Sequence, residues 1–178
     1  MRRNDFTIIT EESAMSLFGG TIAYRLFETS ILKPCSIPGI NDRNEAVHPC
    51  KRYLSNLQND DLLSKIHLPE PVNTDQLDFF KEVTTSERFW LGFFTKTSKD
   101  QCDSENLTAR EYFQMSNPKN DPILWVNDNW APNEPNQCGE YFLEYELGSG
   151  LRDISTDNTG WKSQIICVYV EKAYFGTS

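Results

Sequence analysis

The chain has 178 residues, with 17 Lys and Arg against 26 Asp and Glu for a formal net charge of -9. That length fits one domain with a modest extension, and the acidity argues against a nucleic-acid or anionic-membrane partner, because both need basic surface. A hydrophobic share of 38% is low for a large core, but the 12% of aromatic residues can each bury much area.

Five cysteines without a CxxC pair, beside only two histidines, favour disulfides in an oxidising compartment over a zinc site. The odd count leaves at least one thiol unpaired or intermolecular. No apolar run approaches the ~20 residues needed to cross a bilayer. Met1-Arg2-Arg3-Asn4-Asp5-Phe6 carries positive charge with no apolar stretch behind it, so it does not read as a signal peptide, and secretion would place the targeting segment outside this chain. In that setting Asn106-Leu107-Thr108 is a glycan acceptor at Asn106.

Residues 1–20, ending in Gly19-Gly20, show no clear period and read as an extension or a first edge element, leaving 21–178 as the domain. Residues 21–32 are rich in β-formers and are expected to form the first strand. Residues 33–43 form a loop around Pro34, Pro38 and Gly39 and contain Cys35. Val47, Cys50, Leu54 and Leu57 fall on one face of a helix starting at Asn44 or His48, and Pro49 favours the later start. A second helix is capped by Asn73, with Gln76 completing a capping box and Leu77, Phe80 and Val83 facing inward.

Arg88–Thr95 reads as a central strand, followed by a long polar loop over residues 96–122 that contains Cys102. Ile123-Leu124-Trp125-Val126 is an apolar run fit for a buried strand. In residues 141–147 apolar side chains alternate with Glu144 and Glu146, which predicts a half-exposed strand. Gly148-Ser149-Gly150 turns it into Leu151-Arg152-Asp153-Ile154, and residues 165–170 are apolar enough to close the sheet at its centre. The four tryptophans read as packing, and His48 and His67 as surface residues. The expected fold is α+β: two helices packed on a small, mostly antiparallel sheet, with a long irregular loop region.

Chemistry concentrates in the Pro-broken loop that ends in Glu134-Pro135-Asn136. Fixed φ at the proline, helped by a cis Glu134-Pro135 bond if one forms, can aim both side-chain carbonyl oxygens at one point. Hard cations such as calcium take that kind of oxygen cluster. Ser13, Ser163 and the cysteines belong to no Gly-x-Ser-x-Gly or Cys-His context and there is no phosphate loop, so binding is expected rather than catalysis.

Trp130-x-x-x-Glu134-Pro135-Asn136, preceded by Phe89-Trp90-Leu91-Gly92-Phe93 and followed by Cys138 and Ile165-Ile166-Cys167-Val168-Tyr169, resembles a C-type lectin-like domain. The landmarks stand in the family's order over residues 45 to 170. The resemblance implies an extracellular or secreted module that recognises carbohydrate or glycoprotein through calcium. Glu134 and Asn136 match the family's Glu-Pro-Asn ligands, in the order that implies mannose-type sugars, and Asp153 matches the aspartate of its Trp-Asn-Asp motif. The same three residues would then touch sugar hydroxyls.

Two departures stand beside this. Arg152 and Leu151 replace the Asn and Trp of that motif, and only Gln137 separates Asn136 from Cys138. A guanidinium is always charged and cannot coordinate a cation. A Glu134–Arg152 salt bridge can therefore replace the ion, which gives the rival reading of a calcium-independent protein-interaction or structural module. Among the cysteines, the resemblance implies a Cys50–Cys167 bridge. Cys138 matches one member of a second pair whose partner position holds Thr156, so Cys102 is its candidate partner and Cys35 is left odd. A local Cys35–Cys50 bridge is the alternative.

Overall fold

The computed structural model describes residues 6–30, 50, 65–95, 113–114, 124–135, 142–154 and 163–172. Strand β1 (Thr7–Ile9) leads into helix α1 (Glu12–Phe18), which ends at Gly19 in the left-handed conformation (φ 72°) with its N–H bonded to Met15 O. Strand β2 (Gly20–Ser30) follows at once. Residues 1–20, expected as an extension or a first edge element, thus supply an edge strand and a short helix.

Helix α2 (Thr74–Val83) starts where its cap predicts, since Asn73 Oδ1 accepts from Gln76 N at 2.9 Å. Gln76 Oε1 accepts from Val72 N at 3.0 Å, one residue earlier than in the reciprocal capping box, and its amide donates to Leu17 O at 3.0 Å, tying α2 to α1. Strands β3 (Arg88–Thr95), β4 (Phe113–Gln114), β5 (Phe142–Glu146), β6 (Gly150–Ile154) and β7 (Ser163–Lys172) complete the elements described, with a 3-10 helix at Leu124–Asp128.

The sheet runs β1-β2-β7-β3-β5-β6, with β4 added to the end of β3. All of its pairings are antiparallel except β3 with β7. Strand β7, expected at the centre, lies there between β2 and β3. Its side chains alternate between two layers: Ile166 and Val168 pack with Leu77 and Phe80 of α2, and Ile165, Cys167 and Tyr169 pack with Phe6, Cys50 and Ile66. Full burial of each such large apolar side chain contributes roughly 1.5–3 kcal/mol.

Cys50 is bonded to Cys167 with a Cα–Cα distance of 5.6 Å, which excludes the local Cys35–Cys50 alternative. Cys50 is helical, but the rest of the predicted first helix lies outside the described residues, as do Cys35, Cys102, Cys138, His48, Trp161 and the acceptor Asn106.

Three expectations are corrected. Residues 124–128 form a 3-10 helix and not a strand, because Trp125 and Val126 are both buried in succession and Asn129 Nδ2 donates back to Trp125 O at 2.7 Å, closing the turn. Strand β5 is not half-exposed, for Leu143, Glu144 and Tyr145 are buried in succession. His67 is half-buried, because its backbone bonds Val168 in both directions at 2.9 Å, docking it on the central strand.

Candidate functional site

The loop that carries Glu134 is held from both ends. Trp125 Nε1 donates to Pro71 O at 2.8 Å, and the indole packs on Phe93 at 6.1 Å between centroids. Further on, Leu151 N donates to Asn129 O at 2.8 Å and Ala131 N to Leu151 O at 2.9 Å, so the loop lies along β6 as a short parallel bridge. This close approach requires Gly150, whose φ is +130°. The chain then turns, with Glu134 N donating to Ala131 O at 3.0 Å and Asn133 in the left-handed region (φ 66°), a conformation asparagine tolerates. The Glu134-Pro135 bond is cis. The turn sets Glu134 beside the residue that follows Leu151.

That residue is Arg152. Its Nη2 lies 3.5 Å from Glu134 Oε1, and its Nη1 donates to Glu146 Oε2 at 2.8 Å. Arg88 completes the row, donating from Nη2 to Glu146 Oε1 at 3.1 Å, with Nη1 3.8 Å from Glu144 Oε1. Ser163 Oγ donates to Glu144 Oε2. The strand registers explain the row: Arg88 faces Glu146 across β3 and β5, Glu144 faces Arg152 across β5 and β6, and residues 144 and 146 share a face because side chains alternate.

The hydrogen bond from Arg152 holds the Glu146 carboxyl below its ordinary pKa, with Arg88 acting the same way against a smaller effect of burial. Burial pushes the Glu144 carboxyl up, opposed by the Ser163 hydrogen bond and by the charges of Arg88 and Arg152.

Of the sequence-predicted ligands, the structure brings Glu134 to Arg152, the residue that replaces the family's Asn. Asp153, 4% exposed, is adjacent to Arg152 in β6 and so turns to the opposite face, with its register partner Leu143. Asn136 lies outside the described residues. Arg88 was not singled out from the sequence, Glu144 and Glu146 were read only as the polar side of a strand, and Ser163 was considered only as a nucleophile and set aside. Their only signal was the Glu144-x-Glu146 spacing, which gains meaning once strand register brings two arginines opposite.

Of the expected ligands that the structure describes, Glu134 pairs with Arg152 and Asp153 turns to the opposite face, so these two do not gather around one cation. A guanidinium cannot coordinate a cation, so with Arg152 beside it Glu134 already has a positive partner. Among the described residues no group of three or more His, Cys, Asp and Glu side chains is arranged to hold a metal.

No family profile matches the chain, and no curated protein does. Among solved structures, the carbohydrate-recognition domain of the human scavenger receptor C-type lectin aligns with a TM-score of 0.52 at 12% identity, covering 96% of this chain and 100% of that one. The C-type lectin domain of murine dendritic cell inhibitory receptor 2, solved in complex with an N-glycan, gives 0.49 at 12% identity over the same shares. The first of these carries the conclusion, and at such identity it speaks for the fold and not for the ligand. With helices α1 and α2 against a mostly antiparallel sheet, a last strand at the sheet's centre bridged to Cys50, and a loop stitched to β6, the chain has the C-type lectin-like fold.

Proposed function

We propose that this chain is an extracellular recognition module that takes a carbohydrate or glycoprotein ligand on the loop surface around Glu134 without calcium, with Arg152 in the cation's place. The observation that carries this reading is the 3.5 Å pairing of Arg152 with Glu134. A carboxylate accepts from sugar hydroxyls and a guanidinium donates to them, so the pair offers both halves of the polar recognition that a metal would otherwise organise. Among the described residues no helix is long and apolar enough to cross a membrane.

The reading is tested by thermal melting and by retention on mannose and mixed-glycan resins, in chelator and in millimolar calcium, for wild type and Arg152→Met. The expected result is a melting temperature indifferent to calcium, with glycan retention in chelator that the substitution abolishes. A ligand bound only to the native state must raise the melting temperature. A calcium-dependent rise in the wild type overturns the proposal.

That outcome would support the second reading, calcium-dependent recognition of mannose-type sugars through Glu134, Asn136 and Asp153. The intact Glu134-Pro135-Asn136 sequence speaks for it. It requires Arg152 to leave its present partners.

A further inference from the structure

The turn that presents Glu134 runs Ala131-Pro132-Asn133-Glu134 and is closed by the Glu134 N–H, which donates to Ala131 O at 3.0 Å. Proline supplies the fixed φ of its first central position, and the second, Asn133, has a φ of 66°. Among the described residues Asn133 is the one non-glycine residue with positive φ. Glycine fills such a position without steric cost, whereas any side chain there crowds its own backbone. Asparagine is tolerated because its carboxamide can hydrogen-bond locally. The Asn133 side chain is exposed and has no hydrogen-bond partner among the described residues, so neither a local bond nor burial accounts for its presence.

The ion pair beside it presents little surface to a ligand. Only 6% of the Glu134 side chain is exposed and its Oε2 is buried, while 27% of the Arg152 side chain is exposed. A ligand that reaches this pair needs a further polar group at the rim to be held in one orientation, since a few placed polar groups set specificity in such sites. Asn133 stands at that rim. It is the chain neighbour of Glu134, a single Cα step of ~3.8 Å away, so one ligand can bridge both.

We propose that Asn133 is a specificity-setting ligand contact: its Oδ1 accepts from one hydroxyl of the bound carbohydrate and its Nδ2 donates to another, beside the exposed part of Arg152. A carboxamide carries both functions in one plane, so a ligand that offers only donors or only acceptors leaves one of the two bonds unmade. Positive φ at this position is then retained with a side chain because the side chain works outside the chain, which is the sense in which a backbone outlier points to function. The inference rests on the proposed reading of the Glu134–Arg152 surface as a carbohydrate site. It adds a residue outside the expected ligand set of Glu134, Asn136 and Asp153.

The test compares wild type, Asn133→Gly and Asn133→Asp in the full chain, by thermal melting and by retention on mannose and mixed-glycan resins in chelator. Relief at positive φ offsets the greater freedom of glycine in the unfolded chain, so Asn133→Gly should melt close to the wild type. Its affinity for the resin sugar should nevertheless fall about tenfold, the scale of the two hydrogen bonds lost. Asn133→Asp keeps the shape and the acceptor but not the Nδ2 donor, and its retention should lie between the two. Wild-type retention that Asn133→Gly leaves unchanged overturns the contact while the carbohydrate reading stands, and full retention by Asn133→Asp overturns the donated bond. A loss of retention together with a fall in melting temperature would give Asn133 a role in shaping the turn alone, and it also overturns the proposal. No wild-type retention on any resin is failure of the carbohydrate reading itself, and the Asn133 contact falls with it.

Discussion

A methyl group on Gly150 would lie 2.6 Å from the carbonyl oxygen of Asn129. That oxygen accepts the Leu151 N–H, so the glycine lets the loop that carries Glu134 and β6 share a backbone hydrogen bond at van der Waals range. Gly150→Ala must push the loop away or twist β6, and its φ of +130° is poorly open to alanine in any case. A loss of about 1–3 kcal/mol is expected in urea melts, with faster amide exchange at Ala131 and Leu151. Unchanged exchange at both amides would show that the loop does not depend on this approach.

The Cys50–Cys167 bridge spans 117 residues and ties the layer beneath the sheet to its central strand. Closing so long a loop in the unfolded chain is worth about 3–5 kcal/mol. Cys50→Ala should therefore lower stability by that order, and non-reducing digestion of the wild type should yield one linked peptide carrying both residues. Recovery of Cys50 in a peptide linked to Cys35 contradicts the pairing.

Stability should depend on pH through Glu144 in the direction set by its raised native pKa. The unfolded chain binds fewer protons than the native one between the ordinary ~4.3 and the native value. Stability is therefore greatest below ~4.3 and is lost as pH rises through the native pKa. Glu144→Gln keeps an acceptor for Ser163 without the proton and should flatten this decline, so the variant gains on the wild type toward neutral pH. Parallel melting curves across pH 4 to 8 would rule the effect out.

Glu146 acts with the opposite sign. Arg152 and Arg88 depress its pKa, so its contribution is present above ~4.3 and is lost as pH falls through the native value. Both partners are partly solvated, with side-chain exposures of 21% for Glu146 and 27% for Arg152, which limits the pair to about 1 kcal/mol or less. Arg152→Met should remove that much near neutrality and little at acid pH, and added salt should shrink the difference. A salt-independent loss would assign the role of Arg152 to packing of its stem.

Local signals carried the parts of the fold that local chemistry decides. The apolar run Arg88–Thr95 forms a strand with the expected bounds, and Asn73 caps α2 because its side chain reaches Gln76 N within the same turn. Glu144 was misread because alternation assigns a carboxylate to solvent. Its neighbours Ser163, Trp90 and Arg152 come from β7, β3 and β6, and no period along β5 reports their arrival. The Arg88–Glu146 pair, 58 residues apart, depends on register in the same way. The Arg152–Glu134 pair was legible through the family resemblance, and the structure has it. Its stronger bond to Glu146 does not, since that partner is set by the turn at Gly148 and Gly150.

The position of β7 bears on the timing of synthesis. Its residues pair with β2 from Gly20 opposite Lys172 to Ser30 opposite Ser163, so the strand that occupies the middle of the sheet is translated long after the one it must join. At ~5–20 residues per second the interval is on the order of 10–30 seconds, many times the microseconds in which a hairpin closes. Throughout it β2 can hold only β1, and the edge destined for β7 stays open to any strand it meets. Until β7 emerges, the half of the sheet made first therefore carries an open edge that only the last-made strand is shaped to close.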